Sequence, residues 1–168
     1  MPMNSVKQKS IEILDQLGSL VNRLPTDMYA APLACLQENS IGKHVRHIIE
    51  FYECLLEGLE HGEVNYDLRR RNLLIETDSD YTLLQIGSIQ RKLPDIQDAE
   101  IIMKADLGTG TEAFKSSVFR ELAFSLDHCI HHLALIRVGM QQHCPHIPME
   151  ENLGVAFSTL RHLQQNPA

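Results

Sequence analysis

Four stretches of the chain repeat their apolar residues at three- and four-residue intervals, and that period predicts an all-α fold arranged as a four-helix bundle. Two further observations point the same way. Connections containing Pro and Gly separate the stretches, and 168 residues are enough for one core but too few for two ordinary domains. The chain is therefore expected to be a single domain over residues 1–168. A hydrophobic content of 43% against 22% charged residues is that of a globular chain.

The first helix is expected from about Ser5 to Leu24, where Ile13, Leu14, Leu17, Leu20, Val21 and Leu24 form a stripe that stops before Pro25. The loop PTDMYAAPLACLQE follows. NSIGKHVRHIIEFYECLLEGLEHG is the second helix, with capping candidates at Asn39 and Ser40 and with Gly62 as its C-cap. EVNYDLRRRNLLIETDSD reads as a connection. A third helix starts near Thr77 or Asp78 and runs to about Lys92, ahead of Pro94. AEIIMKADLGTGTEAFKSSV loses the helical period, and its apolar and β-branched residues on either side of GTG predict a small β-hairpin before the last long helix. The period returns from about Ser117 to Gln141, and the tail beyond it holds a short final helix.

Charge and composition exclude several functions. A formal charge of −7 argues against a nucleic-acid partner, whose phosphates call for clustered Lys and Arg. The one basic run, DLRRR, reads as a solvated turn. MPMNSVKQKS lacks the apolar centre of a signal peptide, and no apolar stretch approaches the roughly 18 residues of a membrane span. No membrane partner and a cytoplasmic location are expected. Cys35, Cys54, Cys129 and Cys144 form no CxxC pair and read as reduced thiols.

The chemistry is concentrated in SLDHCIHHLALI, which carries His128, His131 and His132 within an apolar run. At about 100° per residue, His128 and His132 lie about 40° apart on one helix face, the i, i+4 device by which a helix chelates a metal. Ser125 and Glu121 continue that line one and two turns up, respectively, and are candidates for orienting a ligand or moving a proton. Glu121 can equally be a solvated or capping carboxylate near a helix start. His131 stands about 100° from His132, so all three rings cannot easily share one ion. On the second helix, His44 and His47 are about 60° apart and both can point inward. Either of them facing His128 and His132 makes three nitrogen donors and leaves a coordination position open, as catalytic metal sites do. Such a set suits Zn²⁺, Ni²⁺ or a similar divalent transition metal. His61, His143, His146 and His162 are expected at the surface. No HExxH, Glu-x-x-His, phosphate-binding glycine loop or GxSxG occurs, so metal chemistry is the enzymatic reading with residues behind it.

The phrases SIGKHVRHI, GEVNYDLRRR, FRELAFSLDHCIHHLALIR and LGVAFSTLRH together resemble a bacterial branch of the DinB/YfiT-like superfamily, from about residue 39 to residue 162. The resemblance implies a four-helix bundle of crossed-over connectivity, often a homodimer, that binds a divalent metal through three histidines. It places the second-helix ligand on His47, about seven residues after Ser40, with His44 one turn away as the runner-up. The other ligands fall on His128 and His132, and His131 would line the pocket or support a ligand. Relatives include metal-dependent thiol S-transferases and a thiol-dependent isomerase, and others are called metal-dependent hydrolases. No thiol-cofactor pocket motif is recognisable here, so the transferase activity does not carry over. The implied function is a metal-dependent enzyme whose ion activates water or a low-molecular-weight thiol toward a small-molecule substrate. The rival expectation is a non-catalytic, metal-binding or stress-associated bundle dimer.

Overall fold

The computed structural model describes residues 5–166, so the first four residues of the polar N-terminal segment lie outside it. Four long helices share one apolar core: α1 (Ser5–Arg23), α3 (Ile41–Gly58), α5 (Ser79–Lys92) and α6 (Val118–His143). Helix α1 packs on α5 and α6, and α3 packs on α6 and α5. Apolar stripes are buried in one cluster, with Leu14, Leu17 and Val21 from α1, Val45, Ile48 and Leu55 from α3, and Leu122, Leu133 and Ile136 from α6. Side-chain caps set three of the starts. Ser40 Oγ accepts the Lys43 N–H, Asp78 Oδ1 accepts the Tyr81 N–H, and Ser117 Oγ accepts the Arg120 N–H.

The connections hold more structure than their composition predicts. The Pro-containing loop forms α2 (Thr26–Ala30), which turns Tyr29 inward to donate to the Ile75 carbonyl at 2.6 Å. The segment read as a plain connection contains β1 (Glu63–Asn65) and α4 (Leu74–Thr77). Gly42 lets α4 approach α3, since a Cβ there would run into the Glu76 carbonyl and the Tyr29 ring. Helix α3 also ends earlier than predicted, at Gly58. Gly62 has the positive φ of 66° expected of a C-cap, but it follows an added turn of chain. A short α7 (Phe157–Gln165) closes the described chain and buries none of its residues.

The predicted hairpin is present as β2 (Glu100–Asp106) and β3 (Thr111–Ser117), antiparallel from Glu100 opposite Ser117 to Asp106 opposite Thr111. Its turn uses Gly108 and Gly110 at positive φ, and Asp106 Oδ1 accepts both of their N–H groups. Strand β1 adds to β2 in parallel, so a mostly helical chain carries a three-stranded sheet in the order β1-β2-β3. The sheet covers one side of α3 through a second cluster of Phe51, Val64, Tyr66 and Ile101, and β3 also contacts α6. Among the described residues, no helix is long and apolar enough to cross a membrane.

Candidate metal centre

Where α3 crosses α6, four imidazoles meet. His44 and His47 come from α3, and His128 and His132 from α6, all of them half-buried. His47, His128 and His132 each bring one ring nitrogen to within 4.8 Å of the other two. Their ring centroids lie 5.0 Å (His47–His128), 4.5 Å (His47–His132) and 4.6 Å (His128–His132) apart. Both α3 histidines therefore turn inward, with different partners. Nε2 of His47 faces Nε2 of His128 at 2.8 Å, and Nδ1 of His44 faces Nδ1 of His132 at 2.9 Å. His44 touches the group from outside the three-donor set. His131 is exposed, with its ring 5.4 Å from His132.

The surroundings keep these rings neutral. His47 is pushed down to about 4, first by burial and then by the Arg69 guanidinium. His132 is pushed down to about 3, first by burial and then by His47. Burial also lowers His44 and His128, with Lys43 and His131 respectively as the next cause. Neutral imidazole is the form that binds metal, so burial and positive charge suppress the proton that competes for the lone pair.

One neighbour fixes a tautomer. Arg69 Nη2 lies 3.1 Å from Nδ1 of His47. A guanidinium only donates, so His47 Nδ1 accepts and the proton of the neutral ring sits on Nε2. That proton then points at Nε2 of His128, whose own proton is on Nδ1. Arg69 is anchored by Glu50, whose side chain is fully buried and lies 3.4 Å from Arg69 Nε and 3.3 Å from Arg46 Nε. Glu50 also accepts the Asn72 N–H at 2.9 Å, and Arg46 reaches Glu76 at 2.6 Å. This buried network ties the loop after β1 to the middle of α3.

Glu50 and Arg69 escape sequence reasoning in different ways. Glu50 stands three residues after His47 in HIIEFY, and a carboxylate inside so apolar a run was the available signal. Arg69 corrects the reading of DLRRR as a solvated turn. Arg70 and Arg71 are exposed, but Arg69 is half-buried, stacks 5.2 Å over Phe51 and reaches His47.

Glu121 and Ser125 are both buried, so the solvated reading of Glu121 does not hold. The Glu121 carboxylate accepts from Tyr66 Oη at 3.0 Å, Ser116 Oγ at 2.5 Å and Arg120 Nη1 at 2.8 Å. None of these partners is an imidazole. Between Glu121 and His128 stand stacked rings, Tyr66 on Phe51 at 4.8 Å and Phe51 on His128 at 4.2 Å. Of the remaining histidines, His61, His143, His146 and His162 are exposed. All four cysteines are free thiols.

No protein-family model, curated protein or solved structure matches this chain.

Proposed function

We propose that the chain is a metal-dependent enzyme of the DinB/YfiT type, with α1, α3, α5 and α6 as its bundle and His47, His128 and His132 as ligands of one divalent transition metal. The single observation behind this reading is the convergence of three ring nitrogens from two helices within 4.8 Å of one another. The donor set fits such an ion, because the rings are held neutral and no carboxylate joins them to favour Mg²⁺ or Ca²⁺. When bound, the ion supplies Lewis acidity that lowers the pKa of a water or thiol and yields a nucleophile near neutral pH.

The chain's own residues prepare the site. With its proton on Nδ1, directed at His44 Nδ1, His132 presents Nε2 with a free lone pair; His44 is then the acceptor that orients the ligand. His47 Nε2 carries a proton while Arg69 faces Nδ1, so ligation there releases a proton or moves Arg69 aside. The substrate is a small molecule. Glu121, beyond the aromatic stack, acts on the site through Tyr66 and Phe51.

A non-catalytic reading has one observation in its favour. His44, 2.9 Å from His132, is a fourth imidazole that could close the coordination shell. Elemental analysis of purified protein decides between the readings. About one transition metal per chain is expected, lost in His47→Ala and in His132→Ala but retained in His44→Ala. No uptake even after reconstitution would end the proposal, and loss in His44→Ala equal to the others would favour the closed, structural site.

A further inference from the structure

Beside the imidazoles the surface opens into a cavity of about 350 Å³, within the size range of small-ligand sites. His47 and His132 form part of its wall, so an occupant would lie against the proposed ligands. The rest of the polar lining is dominated by four cations, Lys43, Arg46, Arg69 and Arg71, and no carboxylate lines it. In a chain of formal charge −7 this is a local reversal of sign.

The four cations fall into two tiers. Arg46 and Arg69 are held from behind by Glu50 and Glu76, which fixes their positions and offsets part of their charge. Lys43 and Arg71 are exposed, and among the described residues their side chains make no hydrogen bond or ion pair. Two uncommitted cations at the mouth, backed by two anchored ones, meet the needs of an oxyanion. Guanidinium offers a planar fork to carboxylate or phosphate, and ammonium adds a mobile point charge. A concave, single-sign lining also concentrates the field on an incoming anion.

We infer that this cavity is an oxyanion-recognition site, in which Lys43 and Arg71 hold the carboxylate or phosphate group of a small-molecule substrate and direct its reacting end toward His47 and His132. The catalytic half of this inference rests on the metal-centre reading, whereas anion binding stands without it. The same lining disfavours cationic substrates.

The test uses full-length protein stripped of metal and dialysed free of chelator, so that no ion can bind the probe. Inorganic phosphate and malonate are titrated separately, followed by NMR of the arginine Nε–H and histidine Cε1–H signals. Saturable shifts that weaken with added salt are expected. Binding should fall roughly tenfold or more in a Lys43→Ala/Arg71→Ala double variant. The tighter of the two probes identifies phosphate or carboxylate as the recognised group. Failure of both to saturate, or equal binding to the double variant, would overturn the inference. Metal uptake is measured on the same samples and should be no weaker in the double variant. Uptake of metal without anion binding removes the anion site alone, whereas anion binding without metal uptake removes the metal centre and leaves this site standing.

Discussion

On one face of α3 and α6, Val45, Ile48, Leu126, Ile130 and Leu133 join the apolar core; on the neighbouring face of the same two helices sit His44, His47, His128 and His132. The apolar face follows the rules of stability, each fully buried large side chain contributing about 1.5–3 kcal/mol. The imidazole face breaks them. Its rings are partly desolvated, burial pushes two of them far below the ordinary range, a guanidinium faces one of them, and His44 Nε2 is buried with no hydrogen-bond partner among the described residues. These partly desolvated groups, next to a region that shows the chain can pack well, are the contrast on which the proposed metal centre rests.

The contrast is largest in a stability measurement. Leu133→Ala, at a fully buried position, should cost about 2–5 kcal/mol in urea unfolding. His132→Ala, measured on metal-free protein, should change stability by less than about 1 kcal/mol. Equal losses from the two variants would mean that the histidine face is ordinary core.

A smaller effect is expected at Arg69. Its guanidinium, 3.1 Å from His47, opposes the arrival of a dication. Arg69→Gln should therefore tighten metal binding roughly tenfold in a chelator competition. Weaker binding in that variant would show that Arg69 holds His47 in place more than it repels the ion.

The smallest effect is the pH dependence of the metal-free fold. His47 is lowered from 6.5 to about 4 and His132 from 6.5 to about 3, chiefly by burial. Between 6.5 and those values the unfolded chain binds more protons than the folded one. Stability is thus fully present above 6.5 and declines as pH falls through that window. Melting temperatures recorded from neutral pH down to about 5 should show the decline, and a His47→Gln/His132→Gln variant should show less of it. An unchanged slope in that variant would place the responsible protons elsewhere.

Much of the helical framework was legible because its signals are local. Ser5 to the residue before Pro25, the cap at Asp78 and the Gly-rich turn of the hairpin are each encoded within a few residues of where they act. Strand β1 was not legible. Three residues, Glu63–Asn65, carry no period, and their partner strand is far along the chain. Arg69 and Arg71 look alike in DLRRR, yet one reaches into the histidine cluster and the other stays in solvent.

The site divides along the same line. That His128 and His132 share a face, and that His44 and His47 can both turn inward, follows from helical periodicity alone, because side-chain direction repeats with the backbone. Which α3 ring meets which α6 ring, and that Glu50 and Arg69 stand behind them, depends on how two helices and a distant loop pack. A slide of one turn would bring His47 opposite His132, or His44 opposite His128, without altering a single local preference, so that choice belongs to the packed core.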